Sequence, residues 1–207
     1  MTVTDIREVS KSKVKIEIDD EFAFVLYKGE LRVYGIRQGE ELSETGYHEL
    51  TEKVLPKRAK MRAMNLLKSR SYTSGQLKNK LIMGGYSEQI AQAAIDYVAS
   101  FGYIDDEQYA RDFIEYNMEQ KSRQRIMTDL LKKGISKEIF QGAWEEIVGE
   151  DFGELEREQI RSLIAKKNFS VQDASSADIQ RMMGFLFRRG FSIDAIRNAL
   201  LLDITSI

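Results

Sequence analysis

One short block occurs three times in this chain, and that repetition limits the possible folds more than any other feature. Leu81-Ile-Met-Gly-Gly-Tyr-Ser-Glu-Gln-Ile-Ala-Gln-Ala-Ala94 aligns with Leu130-Leu-Lys-Lys-Gly-Ile-Ser-Lys-Glu-Ile-Phe-Gln-Gly-Ala143 at a shift of 49 residues. Leu186-Phe-Arg-Arg-Gly-Phe-Ser-Ile-Asp-Ala-Ile-Arg-Asn-Ala199 follows at a further shift of 56. Five chemical roles recur. Leu81, Leu130 and Leu186 close the apolar face of a helix, and Gly85, Gly134 and Gly190 supply the left-handed turn that ends it. Tyr86, Ile135 and Phe191 plug the corner; Ser87, Ser136 and Ser192 cap the next helix; Ala94, Ala143 and Ala199 let that helix approach a neighbour. Self-similarity at a period near fifty residues marks a repeat architecture, in which no unit buries its own apolar face alone.

The middle copy defines the unit. In Phe101-Gly-Tyr-Ile-Asp-Asp-Glu-Gln-Tyr-Ala-Arg111, Asp105 reads as an N-cap with Gln108 returning the bond, so a helix starts near Asp106. Tyr109, Ala110, Phe113 and Ile114 form its apolar face; a second helix carries Ile126, Leu130 and Leu131; a third carries Ile139, Ala143, Trp144 and Ile147. The third copy has a longer, turn-rich stretch, Lys166 to Asp178, read as a loop insertion that accounts for its seven extra residues.

The first forty residues read differently. Val14, Ile16 and Ile18 alternate with Lys15 and Glu17, Asp19-Asp20 is turn chemistry, and Phe22 to Tyr27 is a second strand. Lys28-Gly29-Glu30 reads as another turn and Leu31 to Ile36 as a third strand, making a small sheet that must pack on the next helix to be stable. That helix starts near Ser43, turns Tyr47, Leu50 and Val54 inward, and ends or kinks at Pro56. The expected fold is mainly α: tandem three-helix repeats in an elongated curved array behind a small N-terminal antiparallel β element. The boundaries are 1–56 for the β element and its helix, then 57–104, 105–150 and 151–207 for the repeats.

Composition excludes several chemistries. With no cysteine and one histidine, His48, there is no material for disulfides, thiolate catalysis, zinc sites or a Ser-His-Asp triad within the chain. Asp105, Asp106 and Glu107 are explained by favourable charge at a helix N-terminus, and Met83-Gly84-Gly85 lacks the Lys-Ser/Thr of a phosphate loop. No enzyme activity and no cofactor are expected. No apolar run is long enough to span a membrane and no signal peptide is visible, so the expected location is the cytoplasm and the expected state a monomer without membrane contact.

Charge is segregated beneath a net value of −2. Lys57, Arg58, Lys60, Arg62, Lys68, Arg70, Lys78 and Lys80 occur with no acidic residue among them. A second run, Lys121, Arg123, Arg125, Lys132, Lys133 and Lys137, is interrupted only by Asp129, and Arg181, Arg188, Arg189 and Arg197 repeat it more weakly. The candidate contacts to DNA phosphates or to a filament are the eight cations of the first run with Arg111, Lys121, Arg123, Arg125, Lys132, Lys133, Arg188 and Arg189. From Glu145 to Glu158 the balance reverses, with Glu145, Glu146, Glu150, Asp151, Glu154, Glu156 and Glu158 against Arg157 alone.

Gly102-Tyr-Ile-Asp-Asp-Glu-Gln-Tyr-Ala-Arg111, Asp129-Leu-Leu-Lys-Lys-Gly-Ile-Ser136 and the order of a β element before repeated three-helix units resemble the RecX family of bacterial regulators of the RecA recombinase. The resemblance runs from about Lys13 to the end of the chain. It implies a cytosolic, non-enzymatic protein of the SOS response and DNA repair that binds RecA–DNA filaments and limits recombinase and coprotease activity. Two other classes fit the residues. One is a general nucleic-acid-binding or transcription-regulator module with repeated helix-turn-helix-like units, holding single- or double-stranded DNA by its phosphates. The other is a protein-only adaptor whose basic face meets an acidic partner.

Overall fold

The computed structural model describes residues 1–149 and 152–200, in two compact units, Met1–Asp105 and the part from Asp106 onward. In the first unit, β1 (Val3–Glu8), β2 (Lys13–Ile18) and β3 (Glu21–Tyr27) form an antiparallel sheet in that order. Val14, Ile16 and Ile18 are buried, as their alternation requires. Asp19 and Asp20 both have positive φ, 50° and 65°, the two-residue hairpin geometry whose twist matches that of the strands.

The third strand is not where the sequence pattern places it. Leu31 to Ile36 is no strand: Lys28–Val33 is a helical turn, α1. Its cause is Glu30, whose carboxylate accepts the Tyr27 backbone N–H at 2.8 Å and fixes the start of the turn. The missing strand is β1, where a bulge between Val3 and Asp5 breaks the alternation that would have announced it.

Ser43 caps α2 (Glu44–His48) by accepting the Gly46 N–H at 3.1 Å. The helix does not end at Pro56. A π segment, Glu49–Val54, leads into α3 (Leu55–Leu67), and the Leu55 N–H reaches back five residues to the Leu50 carbonyl. The wider turn takes up the crowding that the proline ring would impose on a regular α-turn, so the chain stays helical through it. With α4 (Ser74–Met83) and α5 (Glu88–Ser100), α3 completes the first repeat. One apolar cluster runs from Ile16, Phe24 and Leu26 through Leu50, Leu55 and Ala59 to Leu81, Ala94 and Val98. Sheet and first repeat therefore share a core.

The second unit contains α6 (Asp106–Asn117), α7 (Arg123–Lys132) and α8 (Lys137–Val148), then α9 (Phe152–Lys166), α10 (Ser176–Arg188) and α11 (Ile193–Ala199). In every repeat the first and third helices lie against each other. Leu131, expected on the apolar face of α7, is 43% exposed, while Phe140 of α8 is fully buried. The extra length of the third copy is not all loop. The connection 167–175 takes part of it, and α9 and α10 are longer than their counterparts α6 and α7.

All three corners take the form that the repeat implies. Gly85, Gly134 and Gly190 have φ of 90°, 86° and 89°. The next residue's N–H returns to the helix, Tyr86 to Leu81, Ile135 to Leu130 and Phe191 to Leu186, and the glycine N–H bonds one carbonyl further on. Ser87, Ser136 and Ser192 each accept the N–H three residues ahead, at 3.3, 3.2 and 3.1 Å. Between the second and third repeats, Gln159 donates to the Lys121 carbonyl at 3.1 Å and to that of Met118.

Candidate functional site

The acid-free stretch from Lys57 to Lys80 does not form one surface. An α-helix advances about 100° per residue, so α3 has several faces. Leu55, Ala59 and Ala63 are buried. Lys57, Arg58, Met61, Arg62 and Asn65 line one wall of a cleft of about 650 Å³, closed by Lys13, Tyr27, Val54, Gly84 and Tyr86. Lys60 and Lys68 stand on another side of the helix: Lys60 Nζ lies 4.5 Å from the Tyr97 ring, and Lys68 borders a smaller hollow with Met64, Leu67 and Tyr103. Arg70 stacks on Tyr72 at 4.3 Å, Lys78 pairs with Glu88 at 2.9 Å, and Lys80 is exposed.

In the cleft, β-register brings Lys13 opposite Tyr27, with Nζ 5.2 Å from the ring. Arg58 lies 4.9 Å from the same ring and forms an ion pair with Glu30, so its charge is partly spent inside the fold. Lys57 and Arg62 are exposed, Lys13 half-buried. Burial raises the Tyr86 phenol above its ordinary value, against the pull of Arg58 and Arg62, which keeps it a neutral hydrogen-bond donor. No local sequence pattern marks Lys13, Tyr27 or Asn65 as part of this cleft. Alternation does put Lys13 on the face opposite Val14, but nothing local ties it to α3.

In the second unit, Lys121, Arg125, Arg188 and Arg189 converge on a notch of about 210 Å³ with Ser122, Leu163 and Phe191. Ser122 holds the notch together: its hydroxyl donates to the Arg189 carbonyl at 2.6 Å and accepts the Arg125 N–H at 3.3 Å. Asp129 sits behind it, 3.0 Å from Lys121 and 3.5 Å from Arg125. Burial works against the Asp129 charge, but the Lys121 hydrogen bond and the charges of Lys121, Arg125 and Lys132 outweigh it, so its pKa falls below the ordinary value.

The other cations of the second run are placed differently. Arg123 lies within 6 Å of the Phe140, Trp144 and Phe152 rings (5.2, 5.6 and 5.9 Å) and cements the aromatic core. Lys133 lies over Tyr109 and Phe113 at 5.8 and 5.4 Å, and Lys132 is exposed. Arg111 pairs across to Glu146 on α8 at 3.4 Å. Arg181 pairs with Asp178 at 3.0 Å. In the acidic segment, Glu154 pairs with Arg157 at 3.4 Å, and burial raises the Glu156 pKa although the Ser192 backbone bond opposes the shift. Glu150 and Asp151 lie outside the described residues.

Both basic sites are open to solvent and set several cations side by side. Among the described residues no helix is long and apolar enough to cross a membrane.

Comparison with known proteins follows the repeat. Family models for the first, second and third three-helix domains of RecX match residues 59–97, 105–143 and 154–200. The regulatory protein RecX of Caldanaerobacter subterraneus subsp. tengcongensis is 34% identical over 196 residues, covering 94% of this chain and 95% of the relative. That of Clostridium botulinum strain Alaska E43 is 24% identical over 201 residues, covering 96% and 93%. A crystal structure of a regulatory protein RecX superposes with a TM-score of 0.60 at 19% identity, covering 98% of this chain and 99% of the other. The crystal structure of RecX from Lactobacillus salivarius gives 0.57 at 21% identity, covering 72% and 96%. At these identities the structural matches establish the fold alone.

Proposed function

This chain belongs to the RecX family of non-enzymatic regulatory proteins, and from that footing we propose that it regulates the RecA recombinase by binding RecA–DNA filaments in the cytoplasm and limiting recombinase and coprotease activity. The observation that carries the binding mode is the pair of basic sites, Lys13, Lys57 and Arg62 in one unit and Lys121, Arg125, Arg188 and Arg189 in the other. Each takes DNA phosphates by displacing counterions. Of the other basic residues, Lys60, Lys68, Lys80 and Lys132 extend the field, whereas Arg58, Arg111 and Arg123 hold the fold through Glu30, Glu146 and the aromatic core. Inhibition needs no chemistry: a protein fixed to several filament components at once obstructs strand access and subunit turnover.

The test is RecA ATP hydrolysis on single-stranded DNA titrated with the protein, beside its binding to the same DNA without RecA. Loss of hydrolysis where bare DNA is scarcely bound supports a filament regulator. Inhibition that merely follows competition for bare DNA favours the general nucleic-acid module. The double variants Lys57→Glu/Arg62→Glu and Arg125→Glu/Arg188→Glu should both weaken inhibition with unchanged helical circular dichroism. Full inhibition by both would remove the two basic sites from the reading.

A further inference from the structure

The first unit ends in a feature that phosphate neutralisation leaves unused. Tyr97, Phe101 and Tyr103 form a connected row of rings, with centroids 5.0 Å apart for Tyr97–Phe101 and 6.1 Å for Phe101–Tyr103. The last two rings are nearly parallel, at 23°. Phe101 is 59% exposed and Tyr103 56%. Gly102 ends α5 with the same pair of backbone bonds as the three repeat corners, its own N–H to Ala99 and the Tyr103 N–H to Val98. Tyr103 thus occupies the plug position that Tyr86, Ile135 and Phe191 fill at 8%, 2% and 3% exposure. Here the ring stays in solvent, beside a second exposed ring at the position before the glycine.

Cations flank the row. Lys60 lies over Tyr97, and Lys68 shares the hollow of about 240 Å³ with Tyr103, Met64 and Leu67. The stretch that supplies both lysines, residues 57–80, contains no acidic residue.

We infer that Phe101 and Tyr103 are a stacking platform for the unpaired bases of single-stranded DNA, with Lys60 and Lys68 meeting the adjoining phosphates. This deepens the filament reading and rests on its DNA-contacting part. Exposed rings offer faces to bases of any sequence, but only where the bases are unstacked from a duplex. The rings' own stretch carries Asp96, Asp105, Asp106 and Glu107 and no cation, so it is Lys60 and Lys68 of α3 beside the row that favour a polyanion over an apolar protein surface or a second copy of the chain.

The experiment is fluorescence anisotropy with three labelled probes of roughly twenty nucleotides, beyond the ~4–16 that single-strand binding folds cover: oligothymidine, an abasic strand with the same phosphates, and a duplex. The expected result is at least about tenfold tighter binding of oligothymidine than of the abasic strand. Phe101→Ala/Tyr103→Ala should erase that preference and leave duplex binding within about twofold, since the cations remain. Lys57→Glu/Arg62→Glu should instead weaken all three probes. Phe101→Trp and Tyr103→Trp settle the case if the alanine variant misfolds, because an added indole that stacks on thymine is quenched beyond the Trp144 background. Equal affinity for thymidine and abasic strands, or unquenched indoles, overturns the platform while leaving phosphate binding standing. Alanine variants that bind DNA normally but lose RecA inhibition overturn it in favour of a protein contact. No binding of any probe overturns the platform alone, since the filament reading is decided by the hydrolysis titration.

Discussion

Glycine at the corners is needed for two separable reasons. At Gly85 the backbone is left-handed, and a Cβ would overlap the Val25 side chain of β3; at Gly102 φ is +70° but the space is open. Left-handed backbone costs a non-glycine residue about 1–2 kcal/mol, and forcing a methyl group into a filled site costs about 1–3 kcal/mol more. Gly102→Ala should therefore lose only the first amount in urea unfolding, and Gly85→Ala about 3 kcal/mol, because β3 must move. Gly190 repeats the close approach with a different neighbour, the Ser122 hydroxyl at 2.7 Å. That hydroxyl caps α7 and also binds the Arg189 carbonyl. Ser122→Ala should cost about 2 kcal/mol, twice the ~1 kcal/mol of an ordinary cap such as Ser136→Ala, as read from unfolding midpoints.

Among the elements, α7 would couple stability to the proposed DNA binding. Asp129 holds Lys121 and Arg125 from behind, so its carboxylate competes with any phosphate for the same cations. Asp129→Asn should tighten DNA binding and steepen its salt dependence, measured as affinity against salt concentration. The variant should also lose a pH response. A carboxyl whose folded pKa lies below the unfolded value stabilises the protein above the unfolded pKa, and that stability is lost as pH falls through the folded pKa. The wild-type advantage over Asp129→Asn in thermal midpoint should hold at neutral pH and vanish well below the ordinary aspartate value of 3.8.

The same scale explains what the sequence pattern shows and what it hides. The helices of the repeats are legible, because face, cap and terminating glycine lie next to one another in the chain. β1 is hidden by its bulge, and α1 reads as a strand because its starting signal is a single carboxylate reaching back to Tyr27. The exposed rings at Phe101 and Tyr103 carry no local signal at all, since the same plug position is buried at the other three corners.

At the scale of the molecule, the cores are separate: one cluster serves the sheet and first repeat, and two others serve the second and third repeats. The only tryptophan, Trp144, lies in the second repeat. Urea unfolding followed by its fluorescence should therefore diverge from unfolding followed by far-ultraviolet circular dichroism, which reports on every helix. Coincident curves would mean that the two units unfold as one.

The amino-acid order alone determined the three corners, the helical repeat and the family resemblance, because each rests on hydrogen bonds and apolar contacts between residues close in the chain. Which cations work together was decided only by tertiary structure. Lys13 shares a cleft with Arg62 because the sheet and the first repeat close over one apolar cluster, and Lys121 shares a notch with Arg188 because Ser122 and Gln159 bond the second repeat to the third. The same packing turned Arg123 onto aromatic rings and Arg111 onto Glu146. A run of like charges specifies no facing; helical rotation and core contacts assign each cation its side, and those depend on residues far away in the sequence.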